Sequence, residues 1–200
     1  MTTLEHDLRY LEAGAPMLEE FLLSHDWNWP IGINVTHGHL PYLQLSVGGL
    51  LIACQRIHAR LTSQPDQAKM DQLCAEMGAI RQRWHVAWQT KAGIEFHHRL
   101  SLWRNFLVEY REQPGANYDR YHYEVSRRAQ LHLLQQEAQS LPAVETELLH
   151  SLDLYLKAVL SPGAFIWEAD LEPAFPKDTY WYLYGKLQRN APHGAGNGDE

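Results

Sequence analysis

The chain has 200 residues, a formal net charge of −7, 45% hydrophobic and 20% charged residues, and only two cysteines. That is enough chain for one ordinary domain with its own core, and it argues against a disulfide-stapled scaffold. The 17 Lys and Arg are spread along an acidic chain, so no stripe of cations exists to track a phosphate backbone, and nucleic-acid binding is excluded as the main role.

Met1-Thr2-Thr3-Leu4-Glu5 opens polar and acidic, unlike a secretory leader. The longest apolar run, Val47 to Cys54, falls well short of the roughly 18 residues that span a bilayer. Cys54 and Cys74 sit inside apolar helical patterns and read as buried free thiols. These features point to a reduced, cytoplasmic protein with no membrane partner.

The first segment, residues 3–25, reads as helix. Thr2 and Glu5 fit a capping box, and Leu4, Leu8, Leu11, Ala15, Leu18 and Leu22 alternate four-three spacing on one stripe. Gly14-Ala15-Pro16 interrupts it, which predicts a kink or two short helices. Residues 26–42 show no helical period, and Trp27, Trp29, Gly32, Gly38 and Pro41 mark a long loop.

A second helix is predicted over about 43–61 on Leu43, Val47, Leu50, Cys54, Ile57 and Leu61. Gly48-Gly49 lies inside it at a cost of about 1 kcal/mol each relative to alanine. A close crossing that a side chain would block is the physical reason to keep them.

Asp66 to Glu112 contains no proline and carries Leu73, Met77, Ile80, Trp84, Trp88, Leu102, Phe106 and Tyr110 at helical spacing. It reads as one long helix, or two end to end, on the order of 70 Å in length at about 1.5 Å per residue. Gly93 permits a kink. The remaining elements should be tiled along it.

After Pro114-Gly115, helices are predicted over about 124–139 on Leu131, Leu134, Ala138 and Leu141, and from Pro142 to Leu160 on Val144, Leu148, Leu152, Tyr155 and Val159. Ser161-Pro162-Gly163 stops the latter, residues 164–176 read as an ordered loop, and Asp178 opens a last helix on Tyr180, Leu183, Tyr184 and Leu187. Residues 190–200 read as a disordered tail. The fold class is all-α: an up-and-down helical bundle, a single domain over 1–189, built around the central helix at about 66–112.

Few residues suggest chemistry. Glu95-Phe96-His97-His98 places a carboxylate and an imidazole one helical turn apart, as carboxylate-bridged di-metal bundles do. Extending the long helix's stripe through 91, 95 and 98 points Glu95 and His98 inward. The repeat of the pattern at Glu147 and His150 points to water. A divalent-metal site on Glu95 and His98 would need further ligands, with Glu19, Glu20 and Glu124 available; the plainer reading is a buried Glu95 paired with His98 or Arg99. His37 and His39 in the long loop are a second set of potential ligands.

No nucleotide loop or nucleophile elbow is present. Tyr121-His122-Tyr123 and Tyr180-Trp181-Tyr182 offer rings that could stack a planar ligand, although aromatic rows at helical spacing are usually core. Arg127-Arg128, the sharpest basic cluster, reads as solvated.

Three functions follow. The first is a non-catalytic interaction protein, homodimeric because so long a helix exceeds what shorter partners shield singly. The second is a metal-dependent bundle enzyme on Glu95 and His98. The third is a small-molecule or peptide binder using Trp27, Trp29, His37 and His39 together with the late aromatics. The first is preferred, because nothing in the chain requires chemistry or a cofactor.

Overall fold

The structure is a computed structural model that describes residues 3–31 and 44–190. Thr2, Leu43, the His37/His39 pair and the tail from 191 onward lie outside the described residues. The architecture is an all-α helical bundle with short strands.

Helices α1 (Leu4–Gly14) and α2 (Leu18–Leu23) are separated by a 3-10 turn at Ala15–Met17, so the Gly-Ala-Pro sequence does divide the first segment. The cap is Thr3, whose hydroxyl accepts from His6 N at 3.2 Å, while Glu5 pairs with Arg9. Leu8, Leu11, Ala15, Leu18 and Leu22 are buried along the predicted stripe.

Strand β1 (Trp29–Pro30) pairs antiparallel with β2 (Gln44–Leu45), Trp29 opposite Leu45, and so ties the two ends of the long loop together. Helix α3 (Val47–Arg60) follows, with Ser46 as its N-cap. It is the hub of the fold, packing on α1 and on three later elements: α5 (His85–Glu112), α7 (Tyr121–Glu137) and a 3-10 turn at Ala169–Ala174.

The predicted long helix is two helices end to end, α4 (Gln64–Arg83) and α5. The break is at Trp84 (φ −114°, ψ 35°), whereas Gly93 lies within unbroken α5. Space explains the difference: a Cβ at Gly93 would meet nothing within 4 Å, so nothing there forces a bend. At Trp84 the junction is clamped by one carboxylate near the end of α7. Glu137 takes Arg81 of α4 at 2.5 Å and the indole N–H of Trp88 of α5 at 2.8 Å. On α5 the buried face keeps Trp88, Lys91 and Glu95 of the predicted stripe but is broader than that stripe. Leu102 is exposed, and Ala92, Phe96, Leu100, Trp103 and Leu107 fill the core beside Phe106 and Tyr110.

α4 packs on α1, α2 and the turn between them, and α5 packs chiefly on α7, with α3 and α8 (Ala143–Val159) on its flanks. Among the described residues no helix is long and apolar enough to cross a membrane.

The short helix α6 (Pro114–Asn117) and a 3-10 turn at Tyr118–Arg120 lead into α7. On α8 the buried residues are Leu149, Leu156 and Val159; Leu148, Leu152 and Tyr155 are half-buried, and Val144 is exposed.

The C-terminal region departs from the sequence reading. Leu160–Phe165 is strand β3 and Tyr184–Leu187 is strand β4, paired antiparallel with a bulge between Pro162 and Phe165. The predicted last helix is replaced by a 3-10 turn at Trp181–Leu183 and by β4. A helical register would have buried one stripe; here Tyr180, Tyr182, Leu183, Tyr184 and Leu187 are all buried, and the aromatic run suits a strand. Gly185 is required by the pairing, because a Cβ there would stand 2.5 Å from the Ser161 carbonyl oxygen.

Candidate functional site

The polar centre of the molecule lies where the N-terminus of α3 meets the middle of α5. Ser46 caps α3 by accepting from Gly49 N at 3.1 Å. The next free N–H, that of Gly48, donates to Glu95 Oε2 at 2.9 Å. Glu95 is 1% exposed, and its other oxygen accepts from Arg99 Nε at 2.5 Å. Arg99 also donates from Nη2 to Ser46 Oγ at 3.1 Å. A carboxylate is favoured at a helix N-terminus by the free N–H groups and the helix dipole, and burial is tolerable because both of its oxygens are bonded.

The two glycines make this approach possible. A Cβ at Gly48 would lie 2.7 Å from Glu95 Oε1 and 3.2 Å from Leu134 Cδ1, and one at Gly49 would collide with the Tyr10 hydroxyl. Tyr10 completes the network, donating to Gln44 O at 3.1 Å and accepting from Ser46 N at 3.3 Å. Burial, reinforced by the Glu95 charge, pushes the Tyr10 phenol above its ordinary value, so it stays a neutral donor.

Glu95 is therefore inward, as its phase predicts, but His98 is exposed and stacks on Trp27 at 5.0 Å between ring centroids. Three residues turn a helix by about 300°, which leaves His98 about 60° from Glu95, at the edge of the buried face. The two residues do not converge on a common point. The additional acids lie elsewhere: Glu19 faces Arg83 at 3.7 Å, and Glu124 faces Arg120 at 3.2 Å. Glu147 and His150 are both exposed, as their phase predicts. Among the described residues no cluster of three His, Cys, Asp or Glu is arranged to hold a metal ion. Trp29 is half-buried in β1, and His37 and His39, the other half of the predicted loop site, lie outside the described residues.

No family model, curated protein or solved structure matches the chain.

Two buried cations escaped the sequence reading. Lys91 is 3% exposed, and its ammonium donates to Ser24 O at 2.9 Å, to Ser24 Oγ at 3.1 Å and to Asp26 O. Ser24 is the C-cap of α2, so Lys91 supplies positive charge to the end of a helix whose carbonyls lack donors. It also fixes the start of the segment that carries Trp27. Burial lowers its pKa, with Asp26 opposing.

Arg128, expected to be solvated, is buried and binds Asp153 of α8 through two parallel bonds of 2.8 and 2.7 Å. Its guanidinium stands 4.5 Å from the Tyr182 ring centre. The signal available was its spacing from Val125 and Leu131 on the inner face of α7.

The aromatic triplets also resolve. Tyr121 is core, its hydroxyl donating to Tyr182 O at 2.5 Å, whereas His122 and Tyr123 face outward. Tyr180 and Tyr182 are core, and Trp181 is half-buried.

Proposed function

We propose that this chain is a non-catalytic helical-bundle interaction protein that pairs with a second copy of itself in the cytoplasm, where its free Cys54 and Cys74 remain reduced. The observation that supports the non-catalytic reading is the use of Glu95. Both carboxylate oxygens are bonded, to Gly48 N–H and to Arg99, and the side chain is 1% exposed, so the one deeply buried acid of the candidate site is committed to capping α3 and lies away from solvent and from any incoming ligand.

Self-association is supported by the outer face of α5. Ile94 (39% exposed), Thr90 and Gly93 line a shallow depression of about 420 Å³ together with Gln89, His97, Gln139 and Ser140, and Val86 is exposed (58%) at the start of the same helix. Apart from His97, whose Nδ1 lies 2.6 Å from Glu145 Oε1, these residues are uncharged. A two-fold pairing sets such a patch against itself without like-charge repulsion, which matters for a chain of net charge −7. Because α4 and α5 are two helices, each packed within the chain, this face and not helix length is the reason for a partner.

Light scattering at micromolar concentration tests the pairing. A dimer mass that falls to a monomer mass in Val86→Glu/Ile94→Glu supports it, and a monomer mass for the unaltered chain overturns it. Elemental analysis of protein purified without a metal-affinity tag tests the other half. Stoichiometric iron, manganese or zinc that is lost in Glu95→Gln, with the helical circular-dichroism signal retained, would replace this reading with a metal-dependent one.

A further inference from the structure

We infer that the cavity between the start of α7 and the β3–β4 pair is a binding site for a small aromatic carboxylate. Its volume is about 550 Å³, within the roughly 300–1,000 Å³ of small-molecule sites. Its lining includes the half-buried Tyr118 and Ile166, backed by the buried Tyr121 and Leu187, and its rim carries Lys186 and Arg189.

The walls are fixed before any ligand arrives. Tyr121 is held by its bond to Tyr182 O, and the neighbouring strand end is held by Tyr110, whose hydroxyl donates to Gln188 O at 2.8 Å. The indole N–H of Trp167 donates to His122 O at 3.3 Å and ties the β3 side to α7. A cavity with preset walls binds without first ordering its own side chains.

Charge sets the ligand class. Lys186 and Arg189 are both exposed, and neither has a carboxylate partner among the described residues; Arg189 rests 6.0 Å from the Tyr118 ring centre. Asp119 is the one acid in the lining. Two cations against one carboxylate make a locally positive rim on an acidic protein, beside the Tyr118 ring. The complementary ligand is a planar apolar body of one or two rings with an anionic group at one end: its rings lie against Tyr118 and Ile166, and its carboxylate lies between Lys186 and Arg189. Contact with a ring face and charge-assisted hydrogen bonds from two cations to one carboxylate are the contributions this site offers. The site lies on different elements from the α5 face, so its failure leaves the self-association reading untouched.

The probe is 2-naphthoate, titrated calorimetrically into the full-length protein, with the neutral 2-naphthamide as comparison. The expected result is one saturable site per chain, at least tenfold weaker for the amide. Lys186→Glu/Arg189→Glu should weaken naphthoate at least tenfold and leave the amide unchanged; both positions are exposed, so the fold is not at risk. Ile166→Trp, which fills the cavity, should abolish binding of both compounds. The absence of saturable naphthoate binding overturns the proposal. So do equal affinities for acid and amide, or binding of naphthoate unaltered by the charge-reversal pair.

Discussion

The Glu95 carboxylate accepts the Gly48 N–H at 2.9 Å across 47 positions of sequence. Two features that look unrelated in the sequence, a glycine pair inside a helix and an acid on a distant helix, are therefore one contact. Gly48 is small because Glu95 stands where its side chain would be. Glu95 is tolerated in the core because Gly48 and Arg99 satisfy it.

Alanine at the two helical glycines of this region should have opposite effects. At Gly93, where a Cβ meets nothing within 4 Å, alanine relieves the conformational freedom of the unfolded chain and should stabilise by about 0.5–1 kcal/mol. At Gly48 the same gain is outweighed by a Cβ 2.7 Å from Glu95 Oε1 and 3.2 Å from Leu134 Cδ1, and overpacking of this kind should destabilise by about 1–3 kcal/mol. Urea denaturation of the two variants measures both. Equal shifts of one sign would show that the Gly48–Glu95 contact does not govern this helix.

Removing the Glu95 side chain should cost far more than removing its charge. Glu95→Ala leaves Arg99 Nε and the Gly48 N–H without their acceptor in a nearly dry site, and should destabilise by about 3 kcal/mol, the lower end for a broken buried pair because Arg99 keeps its bond to Ser46 Oγ and some contact with water. Glu95→Gln retains an acceptor for Gly48 and should cost about half as much or less. Thermal or urea melts of the two variants give the comparison. Indistinguishable losses would mean that the helix-capping bond contributes nothing.

Asp7 should make stability depend on pH between about 4 and 6. Its side chain is 4% exposed and faces Arg60 at 3.5 Å and Arg56 at 3.9 Å, with Glu168 further round the same cluster. Burial pushes its carboxyl up to about 6, a shift that the two arginines reduce and Glu168 reinforces. A raised carboxyl pKa means that the folded chain holds this proton more tightly than the unfolded chain does. Its contribution is therefore full below about pH 4 and is lost as pH rises to about 6, a decline of about 3 kcal/mol for a shift of roughly two pH units. Asp7→Asn removes this slope. The stability difference between wild type and variant, followed by urea denaturation from pH 4 to 7, should move by that amount against the wild type; a flat difference would mean that Asp7 ionises normally.

The helices were legible because their signals are local. The α1 stripe, the Gly-Ala-Pro break, the loss of helix after residue 160 and the inward Glu95 all follow from spacing and backbone chemistry. What escaped depends on partners distant in sequence. The break at Trp84 is clamped by Glu137, and no spacing rule connects those positions. β3 contains proline and glycine and becomes a strand because β4 lies beside it. Arg128 reads as a surface cation until Asp153 is placed opposite. At the candidate site, the angular position of Glu95 was readable but its bonds were not. His98, one turn on, fell just outside the buried arc and found Trp27 instead.

Lys91 gives the last prediction. A buried ammonium with two Ser24 acceptors and the Asp26 carbonyl closes the C-terminal end of α2, and its position 4.8 Å from the Phe21 ring centre adds an attraction to the ring face. Lys91→Met keeps most of the volume and the apolar stem but leaves the Ser24 and Asp26 carbonyls without their donor. The cost should be about 1–3 kcal/mol, the penalty for buried polar groups left unsatisfied. It should also be local, because Lys91 joins α5 to the segment that leads to Trp27. Hydrogen exchange resolved along the chain should show faster exchange in 18–31 and little change in α7 and α8. A uniform rise in exchange across the chain would assign Lys91 to general core packing instead of to the closure of α2.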